Sequence, residues 1–307
     1  MMKSNRTATY LLLAIGWVAA VTSCIRVDYD DCPPLSVQVV VKDKNYSNVN
    51  KVDLEDALPE DLPFKSYVPN LTYTMKNLKT GEVVAQKALF DVPDGIERYD
   101  IPLAADLPYG TYELTVWGGI NEREEPLDAD GEMLKLTPDG VEGGDPYLTR
   151  DTLVYDYQHN SYTVEMERIK GKLIVETWFL PHVAVASTNE IDHLRNFVAA
   201  DFTYSGQIAL RREADWSAAE DYMVWKSILP PSINDKLTVL DIDFRDAEGN
   251  VRTEILPKDV SITMNRNALT VLRYVWTWND DSQHDGYWTV YILVNDNWEI
   301  YHGMIVD

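Results

Sequence analysis

The sequence is poor in cysteine and in basic residues, and it has no long apolar run after its first 21 residues. Its 307 residues include only two cysteines, which excludes a disulfide framework and a cysteine-based zinc site. Lysine and arginine number 27 against 50 aspartates and glutamates, so the formal charge is −23. Such a charge repels nucleic-acid phosphates and anionic lipid headgroups. Nucleic acid is therefore not a predicted partner, and any attachment to a membrane must come from a lipid.

Motifs that carry catalysis or hold a metal are also missing. There is no Gly-x-Ser-x-Gly elbow, no phosphate-binding glycine loop and no His-Glu-x-x-His motif. Residues 128–131 are similar to the middle of a calcium loop, but Pro126 and Thr137 occupy positions where that loop needs ligands, so a turn is predicted. The five histidines are scattered: His159, His182, His193, His284 and His302. We predict no catalytic, cofactor-binding or metal-binding residue, although spacing alone neither shows nor excludes a glycosidase pair among the carboxylates.

Residues 1–23 are predicted to be a lipoprotein signal peptide. Lys3 and Arg6 give it a positive start, and the apolar run over residues 11–21 suits a signal core but is too short to span a bilayer. The sequence Val-Thr-Ser-Cys ending at Cys24 then forms a lipobox, in which small residues let a peptidase approach the backbone. We expect cleavage after Ser23 and acyl chains on Cys24. An ordinary secretory signal followed by a chance cysteine is the alternative.

Residues 24–34 are expected to form a lipidated acidic tether. Three aspartates keep this segment hydrated, and its two final prolines favour an extended chain. Cys32 has no intramolecular partner once Cys24 is acylated, so a buried free thiol is expected there. Acidic residues directly after a lipidated cysteine resemble the surface-export signal of Bacteroidetes lipoproteins.

The rest of the chain is predicted to be all-β, with one β-sandwich over residues 35–168 and a second over residues 169–307. Apolar and polar residues alternate with period two in short stretches, which is typical of strands with one buried face. Turn-forming residues separate these stretches. The clearest predicted strands span residues 35–41, 71–75, 83–90, 111–119, 161–167, 171–178, 221–229, 237–245, 251–256, 269–278, 287–294 and 298–306.

Two segments depart from this pattern. Residues 43–70 are polar and contain several prolines, which predicts a long loop. Residues 189–200 are predicted to be a short helix, because Asn189 can cap it and because Ile191, Leu194 and Val198 would share one face.

Tryptophans concentrate near the C-terminus. Trp276 and Trp278 share one face of a predicted strand, and Trp288 and Trp298 follow. Exposed rings of this kind could stack on sugars, which would make the chain a surface glycan-binding lipoprotein. Packing inside a large sandwich is the commoner use of such residues.

The segment after Cys24 resembles the FimB-type fimbrial anchor family of Bacteroidetes. The similar features are Ile25-Arg26 followed by acidic residues, then Cys32-Pro33-Pro34 and a valine-rich strand. Residues 109–119 and residues 171–175 are also similar to strands of those proteins, the latter where their second domain begins.

This resemblance implies two tandem transthyretin-like β-sandwich domains and no active site. It further implies an outer-membrane lipoprotein, exposed on the cell surface, at the base of a fimbria. Its partner would be a shaft subunit of the fimbrillin class, and its role would be to anchor the shaft and to limit its length.

The same resemblance implies how the shaft would end. Shaft subunits of this class add a strand from one subunit into a groove of the next, and an Arg-specific protease opens that groove by removing the first strand. Here no arginine lies between Arg26 and Arg98, so strand 35–41 is expected to be retained. The chain could then only donate a strand. Residues 298–306 are either that donor or an edge strand that closes the second sandwich.

Overall fold

The computed structural model describes residues 33–121, 127–137, 142–216, 221–234, 236–279, 286–294 and 296–301. These residues form β-strands joined by turns and by short 3-10 segments, so the prediction of an all-β protein is confirmed. Residues 35–307 make up one compact unit. No helix in the described part of the chain is long and apolar enough to cross a bilayer. The signal segment, Cys24 and Cys32 lie outside the described residues.

Residues 35–168, here called the first half, form a sandwich. The strands are β1 Ser36–Val41, β2 Asn70–Asn77, β3 Val83–Asp91, β4 Tyr99–Asp100, β5 Gly110–Gly118, β6 Met133–Lys135, β7 Tyr147–Tyr155 and β8 Ser161–Arg168. All except β6 belong to one sheet, in the order β3-β2-β5-β7-β8-β1-β4. Strands β7 and β8 pair only at Tyr147–Arg168 and Leu148–Glu167, so the sheet folds over there into two layers. The apolar faces of β1, β2 and β5 meet in the core between them.

Residues 169–307, the second half, form another sandwich from two sheets. The strands are β9 Gly171–Trp178, β10 Ala186–Leu194, β11 Phe197–Ala199, β12 Tyr204–Ser205, β13 Ile208–Asp215, β14 Tyr222–Leu229, β15 Thr238–Arg245, β16 Val260–Ile262, β17 Leu269–Trp278, β18 Gly286–Val294 and β19 Asn297–Ile300. One sheet has the order β14-β9-β17-β18-β19 and the other β13-β10-β15-β16. Residues from both sheets build a second core, as in β15, where Leu240, Ile242 and Phe244 alternate with more exposed residues.

The two halves share one topology. In each half the first strand runs parallel to a late strand, β1 beside β8 and β9 beside β17. The order β4-β1-β8 in the first half corresponds to β14-β9-β17 in the second, and β3-β2-β5-β7 corresponds to β13-β10-β15-β16. The hairpin β18–β19 extends the second half's sheet beyond β17, and the described residues of the first half form no equivalent hairpin.

The predicted helix over residues 189–200 is wrong, since this segment forms β10 and β11. Strand β10 pairs with β13 on one side and β15 on the other. A β-bulge between Ile191 and Leu194 adds one residue, and His193 has a φ of 62° within it. Both apolar side chains therefore face the core at a spacing of three residues, which imitates helical periodicity.

One predicted strand is absent, and some observed strands were not predicted. Residues 251–256 form no strand, because Val251 makes only an isolated bridge and Thr253–Ile255 is a 3-10 turn. Pro257, which lacks an N–H group, follows this turn. Strands β7 and β13 were not predicted, although β7 pairs with β5 along its whole length and β13 pairs with β10.

A small third sheet joins the halves. Its order is β12-β11-β6, so β6 of the first half pairs with β11 of the second. Trp117, Leu134 and Val198 lie in the shared core of this junction. Gly171, three residues after β8 ends, lets the chain pass close to the β16–β17 connection, because a Cβ there would lie 2.2 Å from the Asn265 carbonyl oxygen.

Arg168, the last residue of β8, is buried at this junction with 5% exposure. Its backbone N–H donates to Asp43 Oδ2 at 2.8 Å, and its Nε donates to Asp145 Oδ2 at 2.8 Å. Its Nη1 donates to Asn267 Oδ1 of the second half at 3.0 Å. The guanidinium also lies 4.1 Å from the centre of the Tyr46 ring. Through its side chain and its backbone N–H, Arg168 thus connects β8 to three other segments of the chain.

Replacing Arg168 should therefore destabilise the protein far more than replacing an exposed arginine. Arg168→Met leaves Asp145 without its partner at the junction, which costs about 3 kcal/mol or more of unfolding free energy. Arg211, whose side chain is 58% exposed and pairs with Glu213, is the matched control. Arg211→Met should change the unfolding free energy by less than about 1 kcal/mol. Urea unfolding monitored by tryptophan fluorescence measures both, and equal losses would contradict the role given to Arg168.

Candidate functional site

The first strand fills a groove between β8 and β4. It runs parallel to β8 over its full length and antiparallel to β4. Val37, Val39 and Val41 point into the first core and are at most 6% exposed. Burying one such side chain contributes roughly 1.5 kcal/mol. Among the described residues β4 pairs with β1 alone, so loss of β1 would detach β4 and open the core.

The loop after β1 is docked on the second half. Three of its apolar side chains, Tyr46, Val49 and Val52, are buried. They pack on the outer face of β9 and β17, where their contacts are Ile174, Leu269 and Val271. The loop therefore links the first strand to the other sandwich.

Asn48 fixes this loop to the start of β17. Its Nδ2 donates to the Leu269 carbonyl at 2.9 Å, and the Leu269 N–H donates to its Oδ1 at 2.8 Å. This pair of hydrogen bonds resembles those of a neighbouring strand. The N–H of Ser47 also donates to the Asn267 carbonyl at 2.9 Å.

Glu55 closes the docked part of the loop. Its carboxylate accepts from Lys172 Nζ at 2.6 Å and from Lys226 Nζ at 2.7 Å, both in the second half. Lys226 Nζ also donates to the Leu54 carbonyl at 2.6 Å. Burial alone would raise the pKa of Glu55, but the hydrogen bonds from the two lysines outweigh it and lower the pKa below its ordinary value.

Sequence reasoning placed β1 correctly but missed the docking of the loop. Residues 43–70 contain only short 3-10 segments, Val49–Lys51 and Phe64–Ser66, so the prediction of a loop is correct for their secondary structure. The spacing of Tyr46, Val49 and Val52 by three residues was the available signal, because it places three apolar side chains on one side of a tight turn.

The C-terminal hairpin β18–β19 is an edge of the second sandwich. Strand β19 pairs antiparallel with β18. The Tyr301 N–H then donates to the Val290 carbonyl at 2.7 Å, and the Tyr301 hydroxyl accepts from the Ser261 N–H at 2.8 Å. Of the two interpretations of residues 298–306, the described part supports an edge strand. Residues 302–306 lie outside the described residues.

No strand among the described residues pairs with the outer side of β19. Because the Tyr301 N–H points toward β18, alternation places the N–H groups of Trp298 and Ile300 on the far side. Two longer edge strands are protected: β3 has two register shifts, and the Ile228 N–H of β14 donates to Glu142 at 2.7 Å. Ile300, by contrast, is 49% exposed.

Of the four tryptophans weighed as an alternative sugar-binding platform, Trp276 and Trp288 pack in the core of the second sandwich. Trp276 is 3% exposed and Trp278 is 44% exposed, and their rings are nearly perpendicular at 84°. Trp288 stacks on Phe244 with ring centres 5.3 Å apart. Trp298 lies over Arg273, with 3.7 Å between the guanidinium and the ring centre. The four rings therefore present no common flat surface.

The predicted turn at residues 128–131 is confirmed. Asp128 Oδ1 accepts from the Glu132 N–H at 2.7 Å, and Gly131 has a φ of 72°. Within the described ranges, no three or more His, Cys, Asp or Glu side chains are grouped so that they could hold a metal ion. His159, His182 and His193 belong to separate segments, and His284 and His302 lie outside the described residues.

Comparison with known proteins finds similar solved structures, but no protein-family model and no curated protein matches the sequence. A solved structure described as an adhesin from Bacteroides ovatus is similar, with a TM-score of 0.56, 13% identity, and coverage of 89% of this chain and 96% of that chain. The fimbrial anchor protein Mfa2 from Porphyromonas gingivalis gives a TM-score of 0.53 at 12% identity, covering 86% of this chain and 98% of that one.

A third similar structure, from Bacteroides thetaiotaomicron, is described as polysaccharide-binding. Its TM-score is 0.55 at 12% identity, with coverage of 87% of this chain and 98% of that chain. At these identities the likeness shows the fold alone. The predicted resemblance to fimbrial anchor proteins is thus confirmed at the level of the fold.

The contacts of Glu55 predict a pH dependence for the docked loop. A carboxylate whose pKa is lowered by folding stabilises the folded state at every pH above its ordinary pKa, which is 4.5 for a glutamate. This stability is lost as the pH falls through the lowered pKa of the folded state. Glu55→Gln should therefore reduce the unfolding free energy at pH 7, and the gap from the parent should narrow below about pH 4. Urea unfolding of both proteins across this range measures the gap. A gap of constant size would contradict the assignment.

Proposed function

We propose that this chain is a lipoprotein of the cell surface that anchors a fimbria and ends its shaft. The observation that carries this proposal is strand β1, seated in its groove and continued by an arginine-free loop that is docked on the second half. A subunit whose groove is filled by its own first strand cannot accept a strand from another subunit in that groove. It can therefore occupy only one end of a polymer.

The rest of the proposal concerns the N-terminal segment and the membrane to which it attaches the protein. The lipobox supports cleavage after Ser23 and acylation of Cys24, and residues 24–34 would connect the lipid to β1. Retention of β1 keeps this lipid covalently joined to both sandwiches. We place the protein in the outer membrane, facing outward, with residues 35–168 and 169–307 as its two domains. The likeness of the fold to a fimbrial anchor protein supports this assignment.

We place the contact with the shaft subunit at the open edge of β19. Strand β19 is paired with β18 in the sheet of the second half, and the N–H groups on its outer side face away from β18. Strand addition at such an edge needs main-chain hydrogen bonds and a few apolar contacts, which Ile300 can provide. This refines the expected donor role into an edge on which a strand of the partner is added.

Glycan binding by the tryptophans is less well supported. A sugar-binding platform needs free ring faces, whereas Trp288 is stacked on Phe244 and Trp298 on Arg273. The similar structure described as polysaccharide-binding shares the fold at 12% identity. No geometry of the described residues favours an enzyme over a structural protein.

Loss of the lipidated thiol should release the fibres. In cells that assemble the fimbria, Cys24→Ser should move the shaft subunit from the cell pellet to the medium, because the anchor would no longer be held by acyl chains. Immunoblots of the shaft subunit in both fractions measure this. Cys32→Ser is the matched control and should leave the fibres on the cells. Fibres that stay attached in the Cys24→Ser strain would refute the anchoring proposal.

Blocking the open edge of β19 should weaken capture of the shaft subunit. Ile300→Pro removes an outward N–H that β18 does not use, and proline is tolerated on the free side of an edge strand. The variant should bind purified shaft subunit at least about tenfold more weakly, which corresponds to the loss of one or two hydrogen bonds. Ile300→Thr keeps the N–H and is the control. Unchanged binding by the proline variant would place the contact elsewhere.

A further inference from the structure

Strand β1 and the docked part of its loop contact both sandwiches as one continuous segment. Residues 36–41 pair with β8 and β4 of the first half. Residues 46–55 contact β9, β14 and β17 of the second half through the core around Tyr46, the Asn48 hydrogen bonds and the Glu55 ion pairs. Two separate surfaces therefore hold a segment of about twenty residues.

The exposed part of the loop begins where this docking ends. Residues 56–61 are all exposed, with the sequence Asp-Ala-Leu-Pro-Glu-Asp. They contain no lysine or arginine, so proteases that cut after basic residues have no site there. The Leu58 N–H and carbonyl pair with the Asn45 side chain at 2.7 and 2.9 Å, which holds this tip against the docked part.

We propose that residues 36–55 are a staple that holds the N-terminal piece on both halves even after the chain is cut within the tip 56–61. This inference rests on the proposed function and deepens it. It makes retention of the first strand depend on non-covalent docking to the second half as well as on the absence of an arginine. A nick by another protease at the cell surface would then leave the lipid-bearing piece in place.

The physical basis is binding at two linked sites. When one site of the segment opens, the other keeps it close, so reclosing is an intramolecular step with a high effective concentration. Release requires both the β1 groove and the docked loop to open together. The buried valines of β1 hold the segment at the first site. Buried Tyr46 and Val49, the hydrogen bonds of Asn48 and the ion pairs of Glu55 hold it at the second.

The test cuts the tip and follows the N-terminal piece. A recognition sequence for a site-specific protease is inserted between Asp56 and Ala57 of the full chain in detergent, with an affinity tag at the C-terminus. After cleavage the protein is captured on the tag, and the N-terminal fragment is quantified over time. We expect the fragment to stay captured.

The matched variants separate the two surfaces. The double variant Asn48→Ala, Glu55→Ala should release the cut fragment about 30-fold faster or more. Loss of each of the two Asn48 hydrogen bonds accounts for roughly fivefold, and loss of the Glu55 ion pairs adds to this. Lys42→Ala is the control, because Lys42 pairs with Glu167 of the first half and its side chain is 49% exposed. Because an exposed ion pair contributes little, its release rate should differ from that of the parent by less than about fivefold. Lys226→Ala, which alters only the second half, gives an independent measure if the double variant does not fold.

Two results would overturn the staple. Prompt release of the fragment from the cut parent would show that β1 and its loop do not hold it. Equal retention by the parent, the double variant and Lys226→Ala would show that the β1 groove alone suffices. Either result leaves the proposed function standing, since that concerns the uncut chain, whereas fibres that stay on Cys24→Ser cells would reject the function and leave the staple intact.

Discussion

The burial of one charged side chain, Arg168, organises the structure. A guanidinium removed from water is stable only when its donors are paired. Here the partners of the guanidinium come from distant parts of the chain: Asp145 precedes β7, Asn267 precedes β17, and the Tyr46 ring belongs to the loop after β1. Satisfying this one residue therefore fixes where the first strand leaves its groove and where the second sandwich meets the first. Apolar contacts alone would allow these segments to slide, whereas directional hydrogen bonds do not.

The path of the loop after β1 follows from this arrangement. Asp43 is held by the backbone of Arg168, and the Tyr46 ring lies against the guanidinium, so the chain is turned toward β9 and β17. From there Asn48 can reach the backbone of Leu269, and the carboxylate of Glu55 lies between two lysines. The docking of the loop after the first strand and the joining of the two halves are thus consequences of the same contacts.

The sequence predicts local structure well and long-range contacts poorly. Alternation over residues 237–245 predicts β15 because one face of that strand is buried and the other is not. The helix predicted over residues 189–200 fails because a bulge changes the spacing of inward residues from two to three. Docking of Tyr46 depends on a surface more than 120 residues away, so the local spacing shows which apolar side chains share a side of the turn but not where they pack. Likewise, the tryptophans alternate in the sequence, but only the fold shows that Trp276 is buried.

Under the proposed function, an anchor and a shaft subunit need opposite properties from their first strands. In the strand-addition mechanism that the family resemblance implies, a shaft subunit loses its first strand to accept a partner, so that strand must be weakly attached once the following loop is cut. In an anchor the lipid precedes that strand, so loss of the strand is loss of the attachment. Since a surface with a charge of −23 gains nothing from an anionic membrane, no second contact would compensate. A first strand fastened to both sandwiches meets this requirement, and the same docking would make the chain unsuitable as a repeating unit of the shaft.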